Sequence, residues 1–272
     1  MFAAFARHIP RLSPLDHHIK EVVHGSALAF TLKVLGAGLA FLFNVLLARL
    51  LGAEGSGIYY LVLTIVMIAS VVGRVGLDNA MLRYTAANAA LGDWAKVAGV
   101  YRKGVVIAIV ASSVVTGIII VVAPWAARLI FYEPTIILPL QIMALGILPL
   151  SLLSLHVELL KGLKKIRDAI LVESVAVPLI SIFLVILLGR LGVVGAVTVY
   201  VLATLAVLIL SIRLWHRAAP QLRILSGNFD TRLLIHTSLP LFWVALMNLV
   251  MGSTSTLMLG IWMDSKSVGI YG

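Results

Sequence analysis

Lys33 places an ammonium about seven residues inside a long apolar stretch. At a bilayer centre such a charge costs about 2.5–3.5 kcal/mol, so it requires a partner, a wet cavity or a route back to the interface. At roughly 100° per residue, Lys33, Gly36, Ala37, Ala40, Asn44 and Ala48 share one helix face, and Leu35, Leu39, Leu42 and Leu46 lie opposite. The small, polar face suits a cavity or neighbouring helices, and the leucine face suits lipid. A cation at the head of such a stripe can bind an anionic head group such as a phosphate; the competing role is snorkelling of its long stem to the interface. Asn44, Arg49 and Gln141 are further candidates for a polar, substrate-binding cavity. The alternatives are bonds from Asn44 and Gln141 to adjacent helices and an outer-end anchor in Arg49. Glu173 is the acid in the same third of the membrane, a candidate partner for Lys33 or a proton acceptor. Arg74, Asp78 and Arg83 are candidates for a gate.

No arrangement of residues resembles a catalytic centre. The seven histidines, at 8, 17, 18, 24, 156, 216 and 236, lie in loops or near segment ends without metal-ligand spacing, and there is no phosphate-binding loop and no Ser–His–Asp clue. The expectation is a non-enzyme with no cofactor, no metal and no catalytic residue. Without cysteine, disulfides and thiolate metal sites are excluded.

The elements that must position these groups are membrane helices. The chain has 272 residues, 61% of them hydrophobic, and a mean hydropathy of +1.11, more than one soluble core of that size can hide. Uncharged runs cover 55–73, 104–127, 134–157, 174–189, 191–212 and 233–263, and 22–48 is interrupted only by Lys33. These predict seven spans, near 27–50, 58–76, 104–127, 135–157, 169–189, 191–212 and 239–263. Pro139 and Pro149 are expected to kink the fourth. Asp78 is expected to cap a short helix over 79–90, and Asp93 the next.

The net charge of +10 could suggest nucleic acid, but its placement does not. Sixteen of the 21 Lys and Arg fall in the amino-terminal arm and in the loops 74–103, 158–168 and 213–232. Only Arg49, Arg128, Arg190 and Lys266 fall at the alternate ends. This is the positive-inside pattern, with the amino terminus cytoplasmic and the partner of the basic loops membrane lipid. The first 26 residues carry Pro10 and Pro14, lack a signal-peptide core, and read as a cytoplasmic arm.

An offset of 212 residues superposes 24–60 on 236–272. His24 and Ser26 meet His236 and Ser238, and Gly57-Ile58-Tyr59 meets Gly269-Ile270-Tyr271. Small and polar residues recur in phase, with Ala245, Asn248, Gly252, Thr256 and Gly260 opposite the Lys33 stripe. Six helices separate the copies, the pattern of parallel halves related by an axis along the membrane normal. The expected organisation is an arm (1–26), a six-helix lobe (27–212), a cytoplasmic linker (213–238) and the first helix of an incomplete second lobe (239–272).

Leu47-Ala-Arg-Leu-Leu-Gly-Ala-Glu-Gly-Ser-Gly-Ile-Tyr59 resembles the first outer turn of polysaccharide-biosynthesis flippases. Gly76-Leu-Asp-Asn-Ala-Met-Leu-Arg-Tyr84 is similar to their segment after the second helix, and Asp264-Ser-Lys-Ser-Val-Gly-Ile-Tyr271 to its second-lobe equivalent. The resemblance spans about 24–272 and lies within the superfamily of multidrug, oligosaccharidyl-lipid and polysaccharide exporters. It implies an all-α integral membrane protein with a MATE-like flippase fold, here a six-helix lobe plus a seventh helix, a truncation of the usual twelve to fourteen. It further implies translocation of polyprenyl-diphosphate-linked oligosaccharide across the cytoplasmic (inner) membrane, with other polysaccharide-assembly proteins as partners. By the same analogy Lys33 would meet the diphosphate or sugar acids. The alternatives are a multidrug–cation antiporter of the same superfamily and a non-transporting membrane subunit of a glycan-synthesis complex.

Overall fold

The structure, a computed structural model, describes residues 15–188, 192–223, 225, 227–263 and 265–271. The expected arm therefore lies mostly outside the described residues, as do Arg190 and Asp264. Among the described residues every regular element is helical: α1 (Leu15–Arg74), α2 (Leu77–Ala90), α3 (Trp94–Leu129), α4 (Ile137–Ala144), α5 (Ile147–Gly162), α6 (Ile166–Ile170), α7 (Val177–Leu188), α8 (Val193–Ala218), α9 (Thr231–Trp262) and α10 (Ser265–Tyr271). A π-helical stretch, Leu171–Ala176, joins α6 to α7.

Five stretches are long and apolar enough to cross a membrane: Gly25–Arg74, Trp94–Leu129, Ile166–Leu188, Val193–Ala218 and Thr231–Trp262. Pro134–Ala144 with Ile147–Gly162 makes a sixth, bent by 44°. The first stretch crosses twice. Phe43 and Tyr59 would stand about 24 Å apart on one continuous helix, yet their ring centroids are 6.4 Å apart. The reversal is at Gly52, whose φ of 69° and ψ of −177° belong to a region that is essentially glycine-only. The Ser56 hydroxyl donates to the Gly52 carbonyl at 2.6 Å and secures the first turn of the returning arm. Counting the two arms of that hairpin separately, the described residues offer seven membrane-length segments, one for each apolar run.

The helices differ from expectation at their ends. The third starts ahead of its apolar run, at Trp94, and there Asp93 is the expected cap, accepting from the Lys96 amide at 3.1 Å. The hydrogen bond from the Lys96 ammonium, followed by that amide contact, holds the Asp93 carboxyl below its ordinary range. Helix α8 runs on to Ala218 and α9 starts at Thr231, so the linker is shorter than 213–238. Charged residues beyond an apolar run can extend a helix into the interface without entering hydrocarbon. Asp78 is not a cap: Gly76, at φ 69°, takes that position. The fourth span bends between its prolines, at Leu145–Gly146, rather than at either one. Pro149 has no N–H for the carbonyl of Leu145 and its ring crowds that oxygen. The break therefore falls one turn earlier, where the Leu145 and Gly146 amides bond back three residues, to Ile142 and Met143.

The core has two tiers. One, at the end away from the basic loops, gathers Leu47, Leu61, Val62, Val66, Ile136, Met143 and Val197. The other, at the basic end, gathers Leu77, Met81, Val97, Leu155, Leu159, Leu160 and Trp215. Helix α10 packs on the Gly52 corner, where a side chain at Gly269 would strike the Ala53 carbonyl and the Gly57 amide. Gly57 and Gly269 are the residues that the 212-residue offset equates.

Gly52→Ala is expected to lower stability by about 1–3 kcal/mol, through backbone strain alone, because a methyl there would meet nothing within 4 Å. Gly117→Ala, in equally open space within α3, is expected to be neutral or stabilising. Thermal unfolding of the two detergent-solubilised variants checks this; equal midpoints would show that the corner is unstrained.

Candidate functional site

A cavity of about 510 Å³ lies against the first arm of α1. Lys33, Gly36, Ala37, Ala40 and Asn44 all line it, so the stripe read from periodicity is the cavity wall. Tyr59, Leu63 and Met67 come from the returning arm. Glu173, Ser174, Val177, Pro178 and Ser181 come from the fifth span, and Tyr200 from α8.

The fifth span sits in this register for a local reason. Pro178 cannot donate to the Ser174 carbonyl, and the turn before it, Leu171–Ala176, is wound as a π-helix. Gly36 receives the turn: a Cβ there would lie 2.6 Å from the Ser174 carbonyl oxygen. Seven residues on along both helices, Phe43 and Ser181 reach the same level, and Phe43 is edge-on to Tyr59. Tyr59 is in turn edge-on to Tyr200, with centroids 6.4 Å apart. The cavity thus has a charged end at Lys33 and Glu173 and, about 16 Å along α1, a hydroxyl-rich end at Asn44, Tyr59, Ser181 and Tyr200.

The two charges are not partners. Glu173 accepts from Lys161, Nζ to Oε2 at 3.2 Å, and Lys161 also holds Glu158 at 2.8 Å. Among the described residues Lys33 has no ion pair. The candidate Lys33–Glu173 contact is therefore replaced by a Glu158–Lys161–Glu173 cluster at the cavity edge, which the sequence did not signal because Lys161 lies twelve residues away on another helix.

The other candidates separate. Gln141 donates to the Ile120 carbonyl at 3.2 Å, a bond between neighbouring helices, and Arg49 is exposed; neither lines the cavity. Arg74 pairs with Asp78 at 3.0 Å and donates to Ser154 at 3.1 Å, tying the end of α1 to α2 and α5. Arg83 is exposed, away from that cluster. Of the leucine face, Leu35 and Leu42 are exposed, whereas Leu39 and Leu46 pack on the core. His156 is buried within α5, with Nδ1 2.7 Å from the Leu152 carbonyl and Nε2 3.4 Å from the Tyr101 hydroxyl. Its position is not the loop or segment end expected for the histidines. Among the described residues no group of three His, Asp or Glu is placed to hold a metal.

Sequence reasoning missed Ser174, Ser181, Tyr59 and Tyr200. Tyr59 ends the repeated Gly-Ile-Tyr, the only signal that could have singled it out. The Tyr59 and Ser181 hydroxyls are buried without a hydrogen-bond partner.

An all-helical, multi-pass membrane protein with an open cavity, apolar over most of its wall and carrying a few polar and charged side chains, is thus the class that fold and site define. The chain matches the model of the family described as polysaccharide biosynthesis protein over residues 22–272, and it belongs to that family. No curated protein and no solved structure matches it.

Because the chain has no native cysteine, the cavity face can be mapped directly. Lys33→Cys, Ala37→Cys, Ala40→Cys and Asn44→Cys are expected to react with a membrane-impermeant maleimide in vesicles. Leu35→Cys and Leu42→Cys are expected not to react, since a thiolate does not form in hydrocarbon. Equal labelling of the two sets would remove the assignment of a water-filled face.

Proposed function

We propose that this protein is a flippase that translocates lipid-linked oligosaccharide, a glycan on a polyprenyl diphosphate, across the cytoplasmic membrane for polysaccharide biosynthesis. The observation that carries this is Lys33, a cation lining the cavity with no carboxylate neutralising it among the described residues. An uncompensated ammonium in that setting favours an anion, and a diphosphate supplies one. The distribution of Lys and Arg supports an amino terminus on the cytoplasmic side, which puts the Lys33 end of the cavity toward the leaflet where lipid-linked glycans are assembled. Other polysaccharide-assembly proteins would deliver the substrate and receive it. No bond is made or broken in the lipid, so the role is transport and not catalysis. A drug–cation antiporter would call for a carboxylate free to exchange cations inside the cavity, and Glu173 is instead engaged by Lys161.

Lys33→Ala is expected to slow flipping of a fluorescent polyprenyl-diphosphate glycan in proteoliposomes by about 10–100-fold, the equivalent of one charge-assisted contact. Lys33→Arg is expected to retain much of the rate, and both variants should insert normally. A wild-type rate in Lys33→Ala would remove the role of this residue.

A further inference from the structure

The two ends of the cavity are chemically different, and the difference bears on which glycan it accepts. At the far end Asn44, Tyr59, Ser181 and Tyr200 supply hydroxyl and amide groups and aromatic surface, with Phe43 beside them and no charged side chain among the cavity-lining residues there. Ser181 and Tyr59 are fully or almost fully buried, 0% and 1% exposed, and neither hydroxyl has a partner. Several other hydroxyls in the spans bond back to their own helix, and Ser112 and Ser151 bond to the Gly73 and Ser70 carbonyls of a neighbouring one. Ser56 donates to Gly52, Ser70 to Met67, Thr116 to Ser112, Thr204 to Tyr200 and Ser211 to Leu208, all at 2.6–2.8 Å. Ser181 makes no such bond and lines the cavity instead. A buried hydroxyl left unmade costs roughly 1–3 kcal/mol, a cost that a bound polar ligand removes.

We propose that this far end is a subsite for an uncharged sugar ring, with the Tyr59 and Ser181 hydroxyls bonding to sugar hydroxyls beside the Tyr59–Tyr200 aromatic surface, while the phosphate stays at Lys33. This rests on the flippase reading and narrows it. The sugar it takes is neutral and not a uronic acid, because among the described residues no cation stands at this end and a carboxylate there would be desolvated and unpaired. Lys33 is too far to serve: the Lys33 and Asn44 positions are about 16 Å apart along the helix.

The test is binding to the full chain in nanodiscs of three soluble probes: farnesyl diphosphate, farnesyl-diphosphate-glucose and farnesyl-diphosphate-glucuronic acid. The glucose probe is expected to bind about tenfold more tightly than the other two. Ser181→Ala and Tyr59→Phe are each expected to reduce that advantage severalfold while leaving farnesyl diphosphate affinity unchanged; Lys33→Ala is expected to weaken all three. Glucuronic acid binding as tightly as glucose, or a glucose advantage untouched in both hydroxyl variants, overturns the neutral subsite and leaves the flippase reading standing. Absence of binding by all three probes to the folded wild-type chain overturns both. Tyr59→Phe and Ser181→Ala remove one oxygen each, and unchanged farnesyl diphosphate binding reports that the cavity is intact.

Discussion

Gly36 and the Ser174 carbonyl approach so closely that a methyl group at position 36 would lie 2.6 Å from the oxygen. In a bilayer every main-chain oxygen must be satisfied or sheltered, and Pro178 removes the donor that an α-helix would have offered this one. The π-helical turn absorbs the irregularity, and the absence of a side chain at Gly36 gives the turn room to seat. That seating sets the axial register of the first and fifth spans. It places Glu173 at the level of Lys33 and Ser181 at the level of Phe43, and so determines which groups share the cavity.

Charge is handled differently at the edge of the fold and within it. Toward the basic end, Arg74 is shared among Asp78, Ser70 and Ser154, and Lys161 between Glu158 and Glu173. These two half-buried cations are offset by carboxylates and hydroxyls, as a low-dielectric setting demands. Lys33, inside the first span, has no such partner among the described residues, and its exposure along the open cavity lets water solvate it. Glu173 lines the cavity yet is engaged from outside by Lys161, so its carboxylate is not spent on Lys33.

Much of the fold was legible because lipid imposes simple rules. Run length and charge distribution located the crossings, and the 100° periodicity of one helix separated Lys33, Gly36, Ala37, Ala40 and Asn44 from the leucines. What remained hidden depended on partners far apart in the chain. Ser181 and Tyr200 become cavity residues only through the Gly36–Ser174 register and the folding back at Gly52. The bend at Leu145–Gly146 depends on an amide that Pro149 lacks one turn downstream, so locating it at the prolines themselves missed by a turn. Leu39 and Leu46 differ from Leu35 and Leu42 because helices pack against part of that face, which no single-helix pattern encodes. Glu173 was legible as an acid at the right depth, but its partner Lys161 is set by how two helices meet.

The close fit of Gly269 on the Ala53 carbonyl and Gly57 amide ties one copy of a repeated Gly-Ile-Tyr to the other. The second Gly-Ile-Tyr is thus seated on the corner that precedes the first. Any residue larger than glycine at 269 would press on main chain, which cannot swing aside as a side chain can. The later segment is therefore not free to drift: position 269 is held to glycine by the backbone it rests on.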